Sequence, residues 1–163
     1  MPLALLLLFA APAIPPSGDA YVPLFVIERS TNANVVHYDA WVTKSGALNA
    51  QEPVVAYWIL LAGNGRREDL NVVEKSRSYG FTITKDASGD FYRMSLVAQR
   101  GKELRVSIAG GVPRAEMRIG NCNAYLQKVY ISTGKIDIFH VNYMEFFGVD
   151  TTTAEKCHER ITP

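Results

Sequence analysis

The chain has 163 residues, 48% of them hydrophobic and 20% charged, and a formal net charge of +1. That length suffices for one packed core. The near-neutral balance, with Lys and Arg alternating with acids, excludes the basic stripe that a nucleic-acid-binding surface needs to neutralise phosphates.

In chain order, the first element is an apolar run, Leu3 to Ala11 (LALLLLFAA), followed by a Pro-rich stretch to Gly18. A bilayer-spanning helix needs about 20 apolar residues, so this run is too short to span and suits the apolar centre of a secretory leader. Ala11-Pro12-Ala13 and Gly18-Asp19-Ala20 both offer small residues for cleavage, although no Lys or Arg precedes the run. The alternative is a buried N-terminal helix, which the prolines disfavour. No Cys follows the run closely, so a lipid anchor is not expected. The reading is a leader over residues 1–20, a single domain over 21–163, and an extracytoplasmic location, periplasmic or secreted.

From Phe25 onward the dominant period is two, the signature of strands with one buried face. FVIERSTNANVVHYDAW (Phe25–Trp41) reads as a hairpin, and PVVAYWIL (Pro53–Leu60) as the next strand. Glu68 to Ser78 (EDLNVVEKSRS) breaks the period and predicts one short helix with acids in its first turn. Strand periodicity resumes after Tyr79-Gly80 and runs through Phe91–Val97, Leu104–Ile108, Arg114–Ile119, Tyr125–Thr133 and Ile136–Phe147. Turn signals separate these strands: Ser88-Gly89, Arg100-Gly101, Gly110-Gly111, Gly120-Asn121 and Thr133-Gly134. The pattern predicts an all-β fold, a small antiparallel barrel of about eight or nine strands in lipocalin-like or calycin-like up-and-down order, with one inserted helix. Barrels of this size are either filled by side chains or hold one small ligand. Small residues (Ala40, Ala56, Ser95, Ala109) favour a cavity, and large ones (Phe91, Tyr130, Phe139, Phe147) favour filling.

FVIERSTNANVVHYDA, PVVAYWIL and LNVVEKSRSYGF (Leu70–Phe81), in that order and spacing, resemble the DUF4833 family, a domain of unknown function. The resemblance is carried by Arg29, Asn32, Asn34, Tyr38, Pro53, Trp58, Glu74, Tyr79 and Gly80, with Ser78 standing where the pattern has Ala. It extends to the tail FFGVDTTTAEKCHERI (Phe146–Ile161), where a Gly-x-Asp turn leads into a final strand. The family implies an extracytoplasmic β-rich domain and assigns no activity.

The polar residues of these motifs are the candidate site: Arg29, Asn32, Asn34, Tyr38, Trp58, Glu74 and Tyr79. Arg29 offers a planar cation able to grip a carboxylate or phosphate, and the aromatic residues would floor a pocket for a small polar or anionic ligand. The structural alternatives are turn chemistry for the two Asn and an Arg29–Glu74 ion pair that docks the helix. Catalysis is not expected: no nucleophile-elbow pattern marks a Ser, and the carboxylates Asp39, Glu74 and Asp137 form only a trio such as any chain of this size offers. No metal or cofactor is expected either, since adjacent Cys157 and His158 would point to opposite faces of a strand and His37 and His140 lack ligand spacing. Cys122 and Cys157 would form one disulfide in an exported chain, or stand as two buried thiols in a reducing compartment. The leading function is a non-catalytic module that binds a small ligand. A filled barrel serving as a structural or interaction domain is the alternative, and a hydrolase comes third.

Overall fold

The computed structural model describes residues 18–134 and 140–163. Its first four strands form one wing: β1 (Ala20–Arg29), β2 (Asn32–Val42), β3 (Val54–Leu60) and β4 (Arg66–Asp69). A short helix, α1 (Val72–Arg77), leads to a second wing of β5 (Phe81–Lys85), β6 (Tyr92–Leu96), β7 (Glu103–Ala109) and β8 (Val112–Ile119). The chain closes with β9 (Cys122–Thr133), β10 (Val141–Asp150) and β11 (Lys156–Ile161). No helix among the described residues is long and apolar enough to cross a membrane.

The wings meet at β9. Its first residues pair antiparallel with β8, Tyr125 opposite Glu116. Its later residues pair parallel with β1, Ile131 opposite Arg29. Its other edge carries β10 along most of its length, and β11 pairs with β10. The change of partner has a local cause. Phe147 faces Lys128 and Gly148 faces Leu126, so Gln127 is an extra residue, a bulge that re-aims the strand. Buried positions accordingly pass from Ala124 and Leu126 to Val129 and Ile131.

The continuous path runs β4-β3-β2-β1-β9-β8-β7-β6-β5, and among the described residues no ladder joins β4 to β5. The sheet is therefore all-β and curled but open, a half-barrel in place of the closed up-and-down barrel. Short turns do dictate antiparallel neighbours within each wing. They cannot dictate the parallel β1–β9 join, which takes a crossover spanning both wings. β4 also replaces the start of the expected helix: Arg66 to Asp69 are all exposed and charged, a blunted edge strand with no apolar alternation to betray it.

The concave face is filled by side chains, the largest fully buried ones being Tyr38, Phe146, Met94, Leu104, Ile119 and Leu126. Alternation explains the rest. Arg114, Glu116 and Arg118 stay outward of buried Ala115, Met117 and Ile119. Phe91, Tyr130 and Phe147, read as fillers of a lumen, are half-buried on the convex face. There Arg105 stacks on Phe91 at 4.0 Å and Lys128 on Phe147 at 5.1 Å. Phe139 lies outside the described residues, as do Asp137 and the leader segment 1–17.

Three carboxylates tie turns and edges together. Ser88 N–H and Arg93 pull Asp86 down to about 2, from 3.8. Thr153 and Thr152 N–H groups lower Asp150, and the bond from Arg160 lowers Glu145 against the opposing effect of burial, with His158 contributing less. Each folded-state pKa lies below its unfolded value, so the stabilisation is complete above the unfolded pKa and is lost as pH falls through the folded one. The melting temperature should hold steady down to about pH 5 and then drop between about pH 4 and pH 2. Thermal unfolding followed by circular dichroism across that range checks this, and an Asp86→Asn variant should show a shallower drop. Parallel curves would remove Asp86 from the account.

Candidate functional site

Five of the seven candidate residues form one group, Arg29, Tyr38, Trp58 and Glu74 gathered around Tyr79 just after α1. Tyr38, fully buried in the centre of β2 and stacked on Phe25 at 4.5 Å, donates its hydroxyl to the Tyr79 carbonyl at 2.6 Å. Trp58 meets the Tyr79 ring edge-on at 5.0 Å, and the Arg29 guanidinium lies 5.4 Å from the ring centre. Burial raises the Tyr79 hydroxyl pKa, and the positive charge of Arg29 acts against that rise. Burial likewise raises the hydroxyl of Tyr38.

Glu74 completes the group without touching Arg29 as an ion-pair partner. One carboxylate oxygen accepts from Trp58 Nε1 at 3.1 Å, and the other from the Asn71 N–H at 2.8 Å. Asn71 Oδ1 in turn accepts from the Glu74 N–H at 3.0 Å, a reciprocal capping box. The helix is therefore docked by a Trp–Glu bond, and the expected Arg29–Glu74 ion pair is not formed. Glu74→Ala should lower stability by about 2 kcal/mol through loss of a cap acceptor and an orphaned indole N–H. Urea unfolding read by tryptophan fluorescence measures it. A change below about 0.5 kcal/mol would mean that the helix docks by other contacts.

The two turn residues take the structural role. Asn32 Oδ1 accepts from the Asn34 N–H at 2.9 Å, an Asx turn. Asn34 Oδ1 accepts from the Leu61 N–H at 3.0 Å and so ties the β1–β2 hairpin to the turn that follows β3. Neither joins the group around Tyr79.

Arg29 faces the other way from its neighbours in that group, into a cavity of about 590 Å³ at the end of the half-barrel. Its walls are apolar, from Ile131 of β9, Val141 and Met144 of β10, and Ile161 of β11, with Gln99 and Asn142 supplying amides. Arg29 Nε is buried with no hydrogen-bond partner, and among the described residues Arg29 has no ion-pair partner. The pocket walls escaped the sequence reading because they come from the last three strands and the turn after β6. No local pattern marks residues that only the β1–β9 join brings beside Arg29.

A second cavity, about 450 Å³, lies where the sheet stays open between β3 and β5. Arg67 and Lys75 line it together with Glu52 and Asp69, so its charges offset one another. Beside it, on the convex face, buried Asp39 accepts from the Tyr57 hydroxyl. Burial, then the bond to Asp39, pushes Tyr57 up to about 12. Arg67 covers the Tyr57 ring at 3.8 Å.

At the base of the concave sheet, Cys122 of β9 and Cys157 of β11 are joined in a disulfide, Cα to Cα 6.3 Å. These features define an all-β half-barrel with a packed interior and a cation at its mouth. The model of the DUF4833 family, a domain of unknown function, matches residues 25–160, and the chain belongs to that family. No curated protein and no solved structure matches it.

Proposed function

We propose that this domain is a non-catalytic, exported module that binds a small anionic ligand at the Arg29 mouth of the half-barrel. The observation that carries the reading is a half-buried guanidinium whose Nε has no partner, set against a roomy cavity. Removing a cation from water without a compensating acceptor is costly, and an anion in the pocket offsets that cost with charge-assisted bonds. The packed interior supports the mouth over a lumen as the place for a ligand. It also supports the alternative of a filled structural domain that meets a protein partner. The disulfide, together with the apolar run at residues 3–11, supports export, since such bridges persist in oxidising compartments.

Arg29→Gln separates the two readings. The variant loses a cation–π contact worth about 1 kcal/mol and also loses the desolvation cost of an unpaired charge. Its stability should therefore stay within about 1 kcal/mol of wild type. Wild type should gain thermal stability in a carboxylate series from acetate to hexanoate at constant ionic strength, and the variant should gain none. Equal gains in both proteins would leave the anion reading without support, and a protein-partner role would take its place.

A further inference from the structure

The make-up of the Arg29 pocket narrows the ligand further, and this inference rests on the anion-binding reading above. Among the described lining residues Arg29 has the one permanently cationic side chain, no side chain is an acid, and Pro163 brings the terminal carboxylate. A phosphate dianion carries more charge than one guanidinium offsets and has no apolar part to cover Ile131, Val141, Met144 and Ile161. A small, fully hydrated anion such as acetate would leave those four walls uncovered. The cavity, at about 590 Å³, has room for a molecule larger than acetate or phosphate. Arg29 itself is held by its stem in β1 and by the Tyr79 ring, so the fork is fixed at one end of an otherwise apolar space.

We infer that the pocket takes a carboxylate carried on an apolar body, with the carboxylate on the Arg29 guanidinium and the body along the β9, β10 and β11 walls. Two sources share that chemistry, a free medium-chain fatty acid and the C-terminus of an apolar peptide.

Isothermal titration calorimetry of the oxidised protein with decanoate, decanol, acetate, inorganic phosphate and acetyl-Leu-Leu tests it. Decanoate or acetyl-Leu-Leu should bind at least about ten-fold tighter than acetate, because burying only two methylenes is worth about that much. Decanoate should also bind at least about ten-fold tighter than decanol, which lacks the charge-assisted bonds. The tighter of decanoate and acetyl-Leu-Leu identifies the source. Acetate or phosphate binding as tightly as decanoate would overturn the apolar-body inference and leave the anion site standing. Decanol matching decanoate would overturn both, as would no binding by any of the five. These comparisons use the wild-type protein, so they stand even if pocket variants fail to fold. A Met144→Glu variant adds a check, since a carboxylate in the wall should weaken decanoate by at least about ten-fold through like-charge repulsion.

Discussion

Replacing Gly80 by Ala is expected to destabilise the protein by about 3 kcal/mol or more, the largest effect of any single methyl group in the chain. A Cβ at this position would lie 1.7 Å from the Lys75 carbonyl oxygen and 2.6 Å from its carbon. The obstacle is helix backbone, so no side chain can swing away to make room. Relief requires α1 to move, and α1 is fastened through Glu74 to Trp58 and through the Tyr79 carbonyl to Tyr38. The methyl group therefore acts on the whole docking arrangement. Chemical unfolding of Gly80→Ala, with the indole signal of Trp58 as a local probe, should show a lowered midpoint and an altered native baseline. A variant within about 1 kcal/mol of wild type would mean that the α1–β5 junction has slack this packing does not suggest.

The second large effect concerns the Cys122–Cys157 bridge. It links residues separated by 35 positions and pins the last strand to the start of β9. The chain-entropy model puts the stabilisation at about 3–4 kcal/mol for a loop of that length. The Cys122→Ser, Cys157→Ser double variant, or the reduced wild type, should lose that amount in urea unfolding. Unchanged unfolding would show that β11 is held by its ladder alone. The same bridge gives export a readout. Protein expressed with its own N-terminus in a host with an export pathway should be trimmed and two hydrogens lighter by intact mass. An untrimmed, reduced chain would count against an extracytoplasmic location.

Where strands alternate cleanly, local pattern was enough to place them. Arg114 to Ile119 presents its apolar residues inward as its sequence implies, and the turns at Gly110-Gly111 and Gly120-Asn121 fall between β7, β8 and β9. Asn71 and Glu74 held a legible signal, the N-cap spacing of a capping box, that marks the helix start more sharply than acidity in its first turn. Three features had no local signature. β4 is a polar edge, identified by pairing and not by periodicity. Gly148 belongs to a strand and not to a turn. A Cβ on it would sit 2.5 Å from the Tyr125 carbonyl oxygen, opposite the bulge at Gln127. The pocket at Arg29 depends on a parallel join between distant segments. The family motifs nevertheless supply Arg29, Tyr38, Trp58, Glu74 and Tyr79, which the fold brings together where α1 meets the first wing.

β9 also carries a kinetic consequence. Thr31 touches Thr133, 102 positions further along, so the β1–β2 hairpin must wait for β9 before its second edge is covered. Contacts of such long range close slowly, on the millisecond-to-second scale typical of β-rich domains. Until β9 pairs with β1, no ladder joins the two wings, and each must hold its shape through its own hairpins.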